Sequence, residues 1–506
     1  MTDTPGSGGK PTPPTSLPVD RKVRLDRGWV PVAPELAAQW RAAGIAVSVE
    51  PDDRAEHGRD WWPLTIGWAI HDGVLPAVPA AVVRPRSADD VALVLRSCHD
   101  ALIPVTPMAG RSGVCGASLP VHGGVALDLT GLTGIRSVDA ASMIVDVGAG
   151  TFGDVLEHTL RETYGLTLGH WPQSIALSTV GGWLACRSAG QYSTRYGKIE
   201  DMVLGLTAVL ADGTIIETGA TAPRTSMGPD LTQLLVGSEG TLAVITSALL
   251  RAHRLPTAEG RAAWGFGSFS DGLDACRRIL QRGATPAVLR LYDARESKRS
   301  FSTSSPTCVL LALDEGDALL VRATLDIVDG EARSGGAAAL DPGLVEQWLG
   351  HRNDVSQLES VIRNDIVVDT IEVAGSWSSL GKIWTDATAA VLAVPGALVC
   401  TCHQSHAYSE GACLYFTVAG RPVEGSSRDA LYTAMWDAAT TATLDAGGAL
   451  SHHHGIGLNR ARYLASALGA GHAVLKTIKA ALDPNSVLNP GKLGLDDRFG
   501  PVDWPS

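Results

Sequence analysis

The feature that most constrains this chain is a β-α-β pattern that runs straight into a glycine-rich loop, with two similar loops downstream. Ala80-Ala81-Val82-Val83-Arg84-Pro85 reads as a short buried strand. Ser87 then caps a helix whose first turn holds Asp89 and Asp90, where negative charge suits the helix dipole. Val91, Val94, Leu95 and Cys98 recur at i, i+3, i+4 and i+7, the apolar stripe of that helix. The next strand, Ile103-Pro104-Val105-Thr106-Pro107, continues into Met108-Ala109-Gly110-Arg111-Ser112-Gly113-Val114-Cys115-Gly116. Small residues there let backbone approach a ligand closely, and successive N–H groups can cradle an anion. The spacing is neither the G-x-G-x-x-G nicotinamide fingerprint nor a Walker loop. Alone, it reads equally well as a surface turn.

Two further loops shift that balance. One is Gln173-Ser174-Ile175-Ala176-Leu177-Ser178-Thr179-Val180-Gly181-Gly182-Trp183, continued by Arg187-Ser188-Ala189-Gly190-Gln191 and Tyr196-Gly197-Lys198-Ile199-Glu200-Asp201. The other is Gly237-Ser238-Glu239-Gly240-Thr241-Leu242-Ala243-Val244-Ile245-Thr246. Each combines hydroxyls, glycines and a following apolar strand, and such loops can wrap a long cofactor while strands hold its flat ring. From Leu255-Pro256 a second unit begins, with strands expected near Ala262–Phe269, Ala287–Tyr292, Cys308–Leu313, Val367–Val373 and Ala412–Val418. A helix from about Ser427 to Ala446 stops at Gly447-Gly448 and leads to Ser451-His452-His453-His454-Gly455-Ile456-Gly457. In a strand-like backbone His452 and His454 would point to one side and His453 to the other. A metal tract or a solvated run is the plainer reading of three imidazoles, but a metal would need further ligands, and no metal site is expected.

Composition narrows the function classes. The chain has 506 residues, 45% hydrophobic and 19% charged, enough for two or three domains with a sizeable core. A net charge of −12 argues against a general nucleic-acid binder, which needs a basic face. Eight scattered cysteines in a long chain without a signal-like segment suggest reduced thiols. No apolar run is long enough to cross a membrane, and a cytoplasmic location is the expectation. Residues 2–18 are rich in Pro, Gly, Ser and Thr and read as a disordered tail.

Taken together, the Pro107–Gly113 loop, the Ser178–Trp183 run, Gly237–Leu242 and the C-terminal Asp483-Pro484-Asn485 and Asn489-Pro490-Gly491-Lys492 resemble the FAD-binding fold of the vanillyl-alcohol oxidase and p-cresol methylhydroxylase (PCMH) superfamily. Within it, Gly169-His170, Tyr196–Asp201, Gly411-Ala412-Cys413-Leu414-Tyr415-Phe416 and Ser451–Gly457 are similar to the alkyldihydroxyacetonephosphate synthases. The resemblance implies an α+β fold. A tail (residues 1–20) and an N-terminal segment (21–75) would precede a PCMH-type FAD-binding domain (76–254). A substrate cap (255–446) and a C-terminal segment (447–506) packing back on the FAD domain would follow.

It further implies FAD held by Pro107 to Gly113, Gln173, Ser174, Ser178, Thr179, Gly182, Ser188, Ala189, Gly190, Gln191, Glu239, Gly240, Thr241, Leu242, Val244 and Ile245. The activity implied is exchange of the acyl group of acyl-dihydroxyacetone phosphate for a long-chain alcohol, with the carbon skeleton held on flavin N5 meanwhile. An FAD-linked oxidase or dehydrogenase of a 2-hydroxy acid or alcohol is the alternative. Tyr415 matches the family's general acid/base, His452, His453 and His454 its essential histidines, and His170 a further active-site histidine. Arg363 matches a phosphate-binding arginine and Arg290 another functional one. Peripheral membrane contact and a homodimer are left open. Three positions depart from the family pattern. Arg111 interrupts a usual glycine run, Gln173 replaces a common Asp, and Trp171 stands where an acid is frequent. With no His at Arg111–Gly113, the FAD is expected to be non-covalent.

Overall fold

The computed structural model describes residues 12–18, 22–25, 28–222, 224–303 and 306–502. The expected β-α-β unit forms: strands Ala81–Arg84 and Val105–Met108 flank helix Ala88–Ala101, with Ser87 Oγ accepting from Asp90 N at 3.0 Å. The two strands are not neighbours. Val125–Asp128 lies between them, parallel to both, and Ala46–Ser48 closes the sheet on the far side. A five-stranded antiparallel sheet follows, in the spatial order 215–219, 203–209, 244–251, 144–148, 135–139. The first and third glycine-rich loops thus lie at strand ends, leaving Met108 and entering Val244.

The second unit is one antiparallel sheet of seven strands, ordered 338–340, 258–266, 308–316, 288–292, 397–407, 411–420, 367–376. Its helices bury one apolar stripe each. Phe269, Leu273, Cys276 and Leu280 of helix Phe269–Gln281 are buried at helical spacing, the Phe and Leu side chains contributing roughly 1.5–3 kcal/mol each. Ala397–Ala407 is a strand that the sequence pattern does not announce. The expected mixed α+β class and PCMH-type architecture are what the chain adopts.

The chain then returns to the first unit. Leu488 bridges Val105 in parallel, Val105 N donates to Val487 O at 2.8 Å and Asn489 N to Val105 O at 2.8 Å. Lys479, buried on helix Ala470–Leu482, donates to the carbonyls of Thr241 and Leu488. Much of the tail over residues 1–20 lies outside the described residues. Within it Thr12, Pro13 and Pro14 are buried, and Arg59 donates to Pro14 O at 2.5 Å. All eight cysteines are free, and among the described residues no helix is long and apolar enough to cross a membrane.

Candidate active site

Between the two units lies a cavity of about 820 Å³, within the usual range for small-molecule and cofactor sites. One wall is built from the three loops. Pro107, Met108, Ala109, Gly110, Arg111, Ser112 and Gly113 line it, as do Gln173, Ser174, Ser178, Thr179 and Gly182. Ser188, Ala189, Gln191, Glu239, Gly240, Val244 and Ile245 complete that wall. Gly190, Thr241 and Leu242 stand just behind it. Gly190 packs so closely on the Trp171 backbone that a Cβ there would stand 2.5 Å from Trp171 N.

Two glycines of the lining have no packing reason to be glycine. A Cβ on Gly113 would meet nothing within 4 Å, and one on Gly182 only Thr179 Oγ1 at 3.5 Å. Both sit at ordinary backbone angles and both line the cavity. A cradle that added side chains would fill suits a bulky, flat cofactor pressed against backbone. Arg111 takes a left-handed φ of 53°, where a non-glycine residue is strained. Its guanidinium is anchored to Glu56 Oε1 at 3.1 Å, tying the loop to the N-terminal segment.

The opposite wall carries the titratable groups. Tyr415 lines the cavity, its hydroxyl donating to Thr370 Oγ1 at 3.0 Å. Its ring stacks on His403 at 4.9 Å and meets His454 edge-on at 5.6 Å. Burial pushes the phenol's pKa well above its usual value, so Tyr415 rests as a proton donor. His453, His454, His403 and His406 line the same wall, and burial holds all four imidazoles neutral, His454 and His403 titrating at about 4.

The histidine run is not a strand, and its side chains do not alternate. His453 and His454 both face the cavity, while His452 lies behind them, its Nε2 at 3.0 Å from the Tyr408 hydroxyl. The cause is Glu372. Its fully buried carboxylate accepts from the backbone N–H of His452, of His453 at 3.3 Å and of His454 at 2.9 Å, curling three successive peptides around one anion. Ser451 Oγ and Arg460 Nη1 complete the shell, each at 2.7 Å. Burial alone would raise the pKa of Glu372, but Arg460 and these donors outweigh it and hold it at about 2. Beyond the run, Glu239 of the third loop accepts from Ile456 N at 2.6 Å and Gly457 N at 2.8 Å, fastening the histidine segment to the loop wall.

The remaining expected residues divide. Arg290 lines the cavity, its Nε donating to the Tyr292 hydroxyl at 2.7 Å and its Nη2 reaching His403. His170 is buried behind the loop wall against Trp183, its Nε2 at 3.3 Å from Ser188 Oγ, and burial lowers its pKa to about 3. Arg363 does not reach the cavity. It ends helix Leu358–Arg363 with its side chain 51% exposed, paired to Glu359 one turn back at 2.6 Å. The arginine that does line the cavity nearby is Arg352, stacked over Tyr192 at 5.2 Å and Trp348 at 5.6 Å, with a buried Nη1 that has no hydrogen-bond partner. Sequence reasoning missed Glu372, Arg460, Arg352, Tyr408 and His406. Only the Cys402-His403-Gln404-Ser405-His406 stretch offered a signal, since so polar a strand must find partners if it is buried.

Residues 79–219 match the family described as FAD binding domain, and residues 255–493 that of FAD linked oxidases, C-terminal domain. The chain belongs to the FAD-linked oxidase family, with the fold of the PCMH superfamily, and FAD is its cofactor. Among its relatives, an Escherichia coli (strain K12) protein named uncharacterized FAD-linked oxidoreductase YgcU is 32% identical over 84% of this chain and 90% of its own length. The alkyldihydroxyacetonephosphate synthase of Dictyostelium discoideum is 29% identical over 85% of this chain and 76% of its own length. A solved structure of an alkyldihydroxyacetonephosphate synthase superposes with a TM-score of 0.77 at 25% identity, covering 92% of this chain and 89% of the other. This chain is an FAD-dependent enzyme of the oxidase and synthase family.

Proposed function

We propose that this enzyme exchanges the acyl group of a phosphorylated acyl-dihydroxyacetone for a long-chain alcohol, a step of ether-lipid synthesis. The observation that carries the reading is the convergence of Tyr415, His453, His454, His403 and Arg290 on the wall facing the flavin loops. The bound flavin supplies the electrophilic centre of such an exchange, and the FAD is held without a covalent bond to the Pro107–Gly113 loop. The protein's own share is proton handling and orientation. The neutral imidazoles are bases able to take a proton from carbon beside a carbonyl, and the phenol of Tyr415 is an acid able to give one to a departing carboxylate. Arg290 and Arg352 supply the fixed cations for the substrate phosphate, in place of Arg363.

A second reading follows from the relative described as an FAD-linked oxidoreductase. Neutral histidines beside a flavin also serve a dehydrogenase or oxidase of a 2-hydroxy acid. Anaerobic mixing of the flavoprotein with palmitoyl-dihydroxyacetone phosphate separates the two. Release of palmitate with flavin bleaching that a fatty alcohol reverses supports the exchange. Stable flavin reduction by a 2-hydroxy acid, reversed by oxygen or a dye, overturns it in favour of the oxidoreductase.

A further inference from the structure

His406 and His453 both line the cavity, yet their inward nitrogens are joined behind the wall by three residues that do not line it. His406 Nδ1 lies 2.7 Å from Ser193 Oγ, which lies 3.4 Å from the Tyr408 hydroxyl. That hydroxyl is 3.0 Å from His452 Nε2, and His452 Nδ1 is 3.0 Å from His453 Nδ1. The Nε2 atoms of His406 and His453 have no hydrogen-bond partner among the described residues, and both residues line the cavity. One ring nitrogen each of His406, His452 and His453 also lies within 4.8 Å of the others, while hydrogen bonds already engage the Nδ1 of all three. Buried as they are, the three imidazoles are neutral, so each ring carries one proton and one lone pair.

We propose that Ser193, Tyr408 and His452 form a neutral proton relay that couples His406 to His453, so that one is an acid whenever the other is a base. A continuous donor-to-acceptor chain has two arrangements, and the bond that Tyr408 O–H donates to Ser193 Oγ is that of the second. In the first, His406 Nδ1–H donates to Ser193, Ser193 to Tyr408, Tyr408 to His452 Nε2 and His452 Nδ1–H to His453 Nδ1. His406 Nε2 is then bare and His453 Nε2 protonated. In the second, every donor is reversed. Passing from first to second, His406 Nε2 takes a proton from substrate and four protons move one place along the chain. His453 Nε2–H then delivers a proton to a substrate oxygen. No charge is created in the protein, and substrate loses one proton and gains one. One pass leaves the relay inverted, and a reaction of two opposite halves, acid leaving and alcohol entering, restores it. That last point rests on the exchange reading, whereas the relay itself rests only on the geometry.

Two-bond ¹H–¹⁵N spectra of the substrate-free holoenzyme labelled at histidine test the relay directly. The fractions of Nε2–H on His406 and His453 should sum to one, and in Tyr408→Phe they should become independent while flavin absorbance is kept. Should Tyr408→Phe fail to fold, Ser193→Ala cuts the chain one residue along and Ser193→Thr should restore it. Turnover of palmitoyl-dihydroxyacetone phosphate should fall at least tenfold in the cut variants, with a bowed proton inventory becoming linear. The relay is overturned if both rings keep Nε2–H in the native protein, or if cutting the chain leaves both tautomers unchanged. Absence of turnover with tautomers that still sum to one would overturn the exchange reading and support the relay.

Discussion

Replacing Glu372 by Gln isolates the group that shapes the histidine wall. The carboxylate is fully buried, paired with an Arg460 that is itself fully buried, and accepts from three backbone N–H groups and Ser451. Gln keeps the shape but removes the charge and turns one acceptor into a donor that faces Arg460 or the peptide N–H groups. Breaking a buried pair from one side costs about 3–5 kcal/mol because the remaining charge is left uncompensated. Urea unfolding followed by tryptophan fluorescence should show this as a lower midpoint. Adding Arg460→Met should recover part of the loss, since the stranded cation goes with it. Acidity should act on the same group. Its folded pKa of about 2 lies below the unfolded carboxyl value, so its stabilisation is complete above about pH 4.5 and is lost as pH falls towards 2. A single variant that costs under about 1 kcal/mol, or a double variant no more stable than the single one, would refute this account.

Arg290→Ala should raise KM for a phosphorylated substrate at least tenfold, whereas Arg363→Ala should leave steady-state kinetics within twofold, because Arg363 faces solvent. Tyr415→Phe should lower kcat by roughly 10²–10⁴-fold, the usual worth of a positioned acid, with the flavin spectrum and thermal midpoint little changed. Gly182→Ala adds a Cβ whose nearest protein atom is Thr179 Oγ1 at 3.5 Å, so the ratio of flavin to protein absorbance should fall while circular dichroism stays native.

Locally encoded features were legible in the sequence. Ser87 and its acidic first turn mark the helix Ala88–Ala101, and the glycines of the three loops mark one wall of the cavity, because each acts within a few residues. Strand Ala397–Ala407 was hidden because burial on both faces removes the alternation that betrays a half-buried strand. Its polar side chains find partners far along the chain, His403 on Glu296 and Gln404 on Leu289 O. The histidine run defeated a period-two argument for the same reason. Glu372, some 80 residues earlier, bends the backbone, and nothing near Ser451 says so. The placement of Arg363 depends on how helix Leu358–Arg363 is rotated, which its six residues do not determine.

The union of Leu488 with Val105 has a consequence for how the enzyme comes into being. A ribosome adding about 5–20 residues per second needs roughly 20–80 s to travel from one partner to the other. For most of that interval the first loop exists without the segment that carries the histidines, and Glu239, once made, waits some 217 residues for Ile456. The nascent chain therefore holds the loops of one cavity wall before it owns the histidines of the other. A chain that stopped before residue 452 would lack the His453 and His454 side of the cavity altogether.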